Sequence, residues 1–296
     1  MNGMIGLEVF LELKRRVDIY YDVQDVRIRT ANRLRLNVPG EVEGSYPAKL
    51  LEIEEALRIE ITQLVEQIPI YQKFLSLWRG IGPCISGGII ANVMVRFVER
   101  EPENELETKW LLKTKDKKTL VPVLRGIGAF DTVSKLWAWC GLSVKDGHAL
   151  HRTKGSRASV TWSPKMRVLM WKLEQSFVKQ GRYYRGVYEK QRAKYDARPD
   201  LQEGVWIDPR TGKIGKGAKG HRYHMAQRYM AKRFMCDLYL SWRKLEGLPV
   251  RPPYVLDELG HTAYEAPPIG GDRIEFKPDD KRKKKRKSHT NDEPQA

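Results

Sequence analysis

Residues 47 to 68 read PAKLLEIEEALRIEITQLVEQI. In this stretch Leu50, Ile53, Leu57, Ile61, Leu64 and Ile68 recur at steps of three and four, the spacing that places side chains along one face of a helix. Pro47 stands where a helix best accepts proline, at its first position. Upstream, residues 7 to 36 carry Leu7, Val9, Leu11, Val17, Tyr20, Val23, Val26 and Ile28 between charged residues, which predicts another helix. Between the two lies Asn37 to Tyr46, with Pro39, Gly40 and Gly44, which reads as a connection. Residues 1–70 are therefore expected to form a helical stalk, either an antiparallel hairpin or a dimerising coiled coil. An amphipathic pair packed on its own core fits the same pattern. The fold class expected is mainly α, the stalk leading into a compact helical domain.

Charge narrows the partners. The 54 Lys and Arg exceed the 37 Asp and Glu, a formal net charge of +17, and KRKKKRK at 281–287 supplies seven positive charges. The body of the chain is basic as well, which favours a polyanion, most commonly nucleic acid. No apolar run approaches a transmembrane length, so a membrane is not expected as partner. The N-terminus does not read as a signal peptide, and Cys84, Cys140 and Cys236 are odd in number and form no CxxC pair. These features suggest a reducing, cytoplasmic setting without disulfides or a cysteine zinc site.

Two stretches bear on chemistry. In the first, Tyr71 to Trp78 ends a helix, Gly80-Ile81-Gly82 permits a tight turn, and Pro83 opens a new helix. This is the pattern of a helix-hairpin-helix, whose backbone N–H groups can face a phosphate. Arg79, Gly80, Ile81 and Gly82 are thus candidate DNA-binding residues, while an ordinary helix–helix turn reads the same way. The second stretch is Arg152 to Arg167, RTKGSRASVTWSPKMR. Here Ser163 precedes Pro164 as an N-cap, which gives it a structural role, whereas Ser159 lies four residues earlier with no such duty. Arg152 and Lys154 are candidate phosphate contacts, and Arg157 and Arg167 flank the free serine. A serine attacking a phosphodiester needs such cations to stabilise the transition state. A phosphate-binding surface without chemistry has the same composition.

Elsewhere the charged run 99–118 reads as a solvated insertion, and Asp131 as the cap of a helix over Thr132 to Cys140. The helix opened by Pro164 is expected to continue through Tyr195, and another to span about His221 to Leu245, ending at Gly247. Ala197 to Gly220 reads as a loop or β-hairpin. His221 and His224 lack a carboxylate at a matching spacing and are not expected to bind a metal. Most tryptophans fall at helical core positions.

In order along the chain, LWRGIGPCISGGIIANV (77–93), IGAFDTVSKLWAWCGL (127–142) and ASVTWSPKMR (158–167) resemble the C-terminal half of the insertion-sequence transposases of family one-ten, bridge-RNA-guided serine recombinases. The resemblance implies DNA transposition and recombination, with Ser159 as nucleophile and Arg167 as its trailing arginine. It implies DNA and a guide RNA as partners and assembly as a homo-oligomer through the stalk. The family's N-terminal ribonuclease-H-like domain, with its metal-binding acidic residues, finds no counterpart in the sequence. No cofactor is therefore expected in the chain itself, and Mg2+ only if a separate metal domain supplies its site. The expected layout is a stalk over 1–70, a DNA-binding and serine domain over 71–262, and a basic tail over 263–296. The alternative is a DNA- or RNA-binding relative without chemistry.

Overall fold

The structure is a computed structural model that describes residues 6–36, 45–113, 118–145, 148–149, 162–208, 212–215, 217–250, 268–269 and 272–273. It is mainly helical, as the apolar periodicity implies. Helices α1 (Leu7–Leu36) and α2 (Ser45–Val65) pack along one another. Their pairing is antiparallel: Arg16 meets Glu60 at 2.7 Å, and further along α1 Arg27 meets Glu54. Helix α2 begins two residues before Pro47. Its inward line is Glu54, Leu57, Ile61, Val65 and Ile68, while Ile53 is exposed. The ion pair with Arg27 is what lets Glu54 take the inward position.

The hairpin does not stand apart from the residues that follow. Phe10, Leu11, Leu13, Val17, Ile61 and Val65 belong to the same continuous core as the later helices. The wedge that joins them is α4 (Pro83–Met94), which follows the short helix α3 (Pro69–Lys73) and a single 3-10 turn at Leu75–Leu77. A β-carbon on Gly87 would lie 3.0 Å from Leu13 and 3.2 Å from Ile61 and Val65. On Gly88 it would lie 2.8 Å from Leu169 in α7 (Pro164–Gln180). The glycine pair thus lets α4 enter between the hairpin and α7, burying Ile89, Ile90, Ala91 and Val93. Helix α1 is braced further out by α7, through Lys165 to Asp18 at 2.5 Å and Lys172 to Gln24 at 2.7 Å.

The charged run is ordered where it is described. Strands β1 (Val95–Glu99), β2 (Leu112–Lys113) and β3 (Thr119–Leu124) form an antiparallel sheet in the order β1-β3-β2. Between β1 and β2, α5 (Glu105–Lys109) is capped by Asn104, which accepts from the Glu107 N–H. Glu107 is buried and takes a two-pronged hydrogen bond from Arg100, at 2.8 and 2.9 Å. Val95 and Phe97 share one face of the sheet with Pro122 and Leu124, and Val98 shares the other with Val121 and Val123.

Two helix boundaries differ from expectation. Thr132, not Asp131, caps α6 (Val133–Trp139): its hydroxyl accepts from the Lys135 N–H at 3.3 Å, and Asp131 instead pairs with the Lys135 ammonium. The long helix expected from Pro164 to Tyr195 is two, because Gly181 breaks it into α7 and α8 (Arg182–Asp196). A β-carbon at Gly181 would lie 2.7 Å from the Phe177 ring. Phe177 stacks on Tyr184 across that break, with centroids 4.8 Å apart. The last long helix, α9 (Ala218–Leu245), crosses the core with Met230, Phe234, Leu238 and Trp242 buried, and Gly247 follows with φ +66°. Its end is fixed by Tyr239 and Arg243, which both donate to the Phe130 carbonyl at 3.1 Å. Among the described residues no helix is long and apolar enough to cross a membrane.

Candidate functional site

Helices α7 and α9 face each other across a cleft of about 930 Å³. On α7, Arg167, Trp171 and Glu174 recur at i, i+4 and i+7, so all three project from one face. On α9, His221, Arg228 and Lys232 lie at i, i+7 and i+11 and form the opposing stripe. The lining also takes in Val144 and Ala149, from the short hairpin β4 (Val144–Lys145) and β5 (His148–Ala149). Trp206 and Asp208 line it too, and Trp206 stacks on His221 with centroids 4.9 Å apart. Trp171 is 54% exposed, so it is a cleft residue and not the core residue its helical position suggests.

Arg167 owes its place to three neighbouring devices. The Ser163 hydroxyl accepts from the Met166 N–H at 3.3 Å, capping α7 as expected, with Pro164 at the first position. The Ser163 N–H donates to the Trp139 carbonyl at 3.0 Å, which ties the start of α7 to the end of α6. Gly141, with φ +69°, then turns the chain under Arg167: a β-carbon there would sit 2.8 Å from Arg167 Cδ. Across the cleft, Arg228 donates to the Gly141 carbonyl at 3.2 Å. The Trp137 indole donates to the Lys232 carbonyl at 3.0 Å, and the Lys232 ammonium lies 5.3 Å from the centroid of the same ring.

Charge in the cleft is poorly compensated. Glu174 is only 6% exposed, its Oε1 has no hydrogen-bond partner, and it makes no ion pair with either arginine. Burial pushes its carboxyl up to about 7, against the opposing pull of Arg167 and Arg228. Burial, and then Arg167, push Arg228 down to about 10, with Glu174 acting the other way. Lys232 is lowered too, by burial and then by Arg228. Among the described lining residues, Arg167 and Arg228 thus act on a carboxyl that burial holds near neutrality, with Lys232 beside Arg228, an arrangement suited to an anion entering from solvent.

Of the residues expected from sequence to form a site, Arg167 lies in this cleft. Arg152, Lys154, Arg157 and Ser159 fall outside the described residues. The described chain leaves the cleft lining at Ala149 and resumes at Trp162, five residues before Arg167. The other expected group lies elsewhere, at the start of α4. Arg79 and Gly82 are exposed there and Ile81 is buried. A β-carbon on Gly82 would meet nothing within 4 Å. Gly80 has an inward constraint: with φ +96°, a β-carbon on it would lie 2.9 Å from the Phe177 ring and 3.2 Å from the Gly181 backbone. Its conformation is thus required by packing against the α7–α8 break.

Glu174, Arg228, Lys232 and Trp171 are absent from the site expected from sequence. The one signal for Glu174 is a carboxylate in the apolar line Met170, Leu173, Phe177, which only its fold partners on α9 explain. Among the described residues no group of three or more His, Cys, Asp or Glu is arranged to hold a metal ion. Comparison of the chain with protein-family models, with curated proteins and with solved structures finds no match.

Proposed function

We propose that this chain is a transposase-like DNA-binding protein that takes part in DNA transposition or recombination, with the α7–α9 cleft receiving a phosphate of the DNA backbone. The observation that carries this reading is the convergence of Arg167 and Arg228 over Gly141, in a cleft whose single buried carboxyl leaves net positive charge. Guanidinium groups fit phosphate oxygens in two-pronged fashion, and a +17 chain draws a polyanion from a distance. The sequence resemblance adds Ser159 as the attacking hydroxyl and Arg157 as a second phosphate ligand. It also adds a guide RNA as partner and self-assembly through the α1–α2 hairpin. Exposed Ile19, Val26, Ile28, Leu51, Ile53 and Ile59 on the hairpin support assembly. The three buried free cysteines fit a cytoplasmic setting.

Serine attack leaves a phosphoester between the Ser159 oxygen and one DNA end and releases the other end as a hydroxyl. The test is to trap that adduct under denaturing conditions, with Mg2+ present and absent. The wild type is expected to retain labelled DNA and Ser159→Ala to lose it. A second reading, a DNA- or RNA-binding relative without chemistry, is supported by the fact that the cleft cations bind phosphate with no need of a nucleophile. Salt-sensitive DNA binding with no adduct in the wild type would establish it.

A further inference from the structure

The cleft holds one group that simple phosphate binding does not call for. Glu174 is a buried member of its lining, and among the described residues Oε1 has no hydrogen-bond partner and no cation comes within ion-pair distance. A carboxylate beside a phosphate-binding pair of arginines repels the phosphate, whereas a carboxylic acid does not and donates a hydrogen bond to it. The charged and titratable groups that line the cleft with it come from several elements. Helix α7 contributes Arg167, and α9 contributes Arg228, Lys232, His221 and His224. Tyr195 of α8 and Asp208 of the 197–217 segment stand at the cleft's edge.

We propose that the α7–α9 cleft is a proton-linked anion site, in which a phosphate group seats between Arg167 and Arg228 only together with a proton on Glu174. The inference deepens the DNA-binding reading and rests on it for the identity of the ligand, a phosphodiester of a nucleic acid strand. The Arg228 guanidinium is held by the Gly141 carbonyl and the Arg167 stem packs against Gly141, neither of them through Glu174. The carboxyl can therefore change charge without breaking either contact. Its position near neutrality, set by burial, makes the change accessible at ordinary pH.

The sign follows from linkage. Bound phosphate raises the Glu174 pKa further, so binding takes up a proton from the pH at which free Glu174 is half ionised upward. Affinity is highest below about pH 7 and falls by up to about tenfold per pH unit above it. Imidazoles change charge in a neighbouring range and with the same sign, so His221 and His224 must be separated from Glu174.

The experiment measures binding of a short single-stranded oligonucleotide to the full chain at constant ionic strength from pH 6 to 9, by calorimetry in buffers of differing ionisation enthalpy. Inorganic sulfate, an anion that does not itself titrate over this range, serves as a second ligand. The wild type is expected to take up as much as about three-quarters of a proton near pH 7.5. Glu174→Gln, which keeps the shape and removes the charge, is expected to lose that uptake and to bind more tightly than wild type at pH 8. A His221→Gln/His224→Gln variant is expected to retain it. Wild-type binding without proton uptake overturns the proposal, as does uptake that persists in Glu174→Gln. If sulfate binds with proton uptake and the oligonucleotide does not bind, the anion site stands and the DNA reading falls. If neither ligand binds at any pH, both fall.

Discussion

Arg167 Cδ lies 2.8 Å from the point where a β-carbon on Gly141 would stand, and the Gly141 carbonyl accepts from Arg228 across the cleft. One glycine thus makes room for the Arg167 stem and holds the Arg228 guanidinium. Gly141→Ala is expected to displace Arg167, to cost roughly 1–2 kcal/mol for the positive φ, and to weaken DNA binding with no charge removed. Thermal unfolding and a binding titration on the same preparation check both effects. Stability loss alone, with affinity of the folded fraction intact, would show that Arg167 does not need this support.

Glu174 should also leave a mark on stability against pH. Its folded carboxyl titrates at about 7 against an ordinary value of 4.5, so between those values the folded state binds more protons than the unfolded one. The sign is that of a raised pKa: the group's contribution is complete below about 4.5 and is lost as pH rises through 7. Glu174→Gln removes the dependence, so at pH 8 it is expected to be more stable than the wild type, by up to roughly 3 kcal/mol. At pH 4 the gain should vanish. Denaturant titrations at the two pH values decide it, and a constant difference would mean that Glu174 is not buried in its charged form.

The two glycines of the expected hairpin should behave differently. Gly80→Ala meets a positive φ and the Phe177 ring, and is expected to cost at least about 1–3 kcal/mol, whatever its effect on DNA. Gly82→Ala has open space and an ordinary φ of −93°, so it should cost less than about 1 kcal/mol. If the turn faces a phosphate, Gly82→Ala lowers DNA affinity while stability holds. Equal affinity for wild type and Gly82→Ala would leave the turn as a packing element.

What the sequence revealed was local. Ser163-Pro164 announces a capped helix because the hydroxyl, the missing N–H and the next apolar residue all act within one turn. The break at Gly181 was hidden because Arg182 to Tyr195 continues a helical pattern, and only the packing of Phe177 on Tyr184 shows why the chain bends. The small sheet was masked by its charged residues: Arg96 shares a face with Val98, Val121 and Val123 and lies over the Trp139 ring. The site divides the same way. Arg167 was legible from its neighbours in sequence, whereas Glu174 becomes a candidate only beside Arg228, 54 residues away on another helix. Contacts across such separations are set by how α4 wedges α7 against the hairpin, which no local spacing encodes.

The central claim is that the α7–α9 cleft binds DNA phosphate, and the salt dependence of DNA affinity tests it most directly. Each phosphate contact contributes close to one unit to the slope of log affinity against log salt. The wild type should show a steep negative slope, and the Arg167→Ala/Arg228→Ala double variant, its fold verified by circular dichroism, should be shallower by about two units and weaker at every salt concentration. An unchanged slope and affinity in the folded double variant would contradict the account.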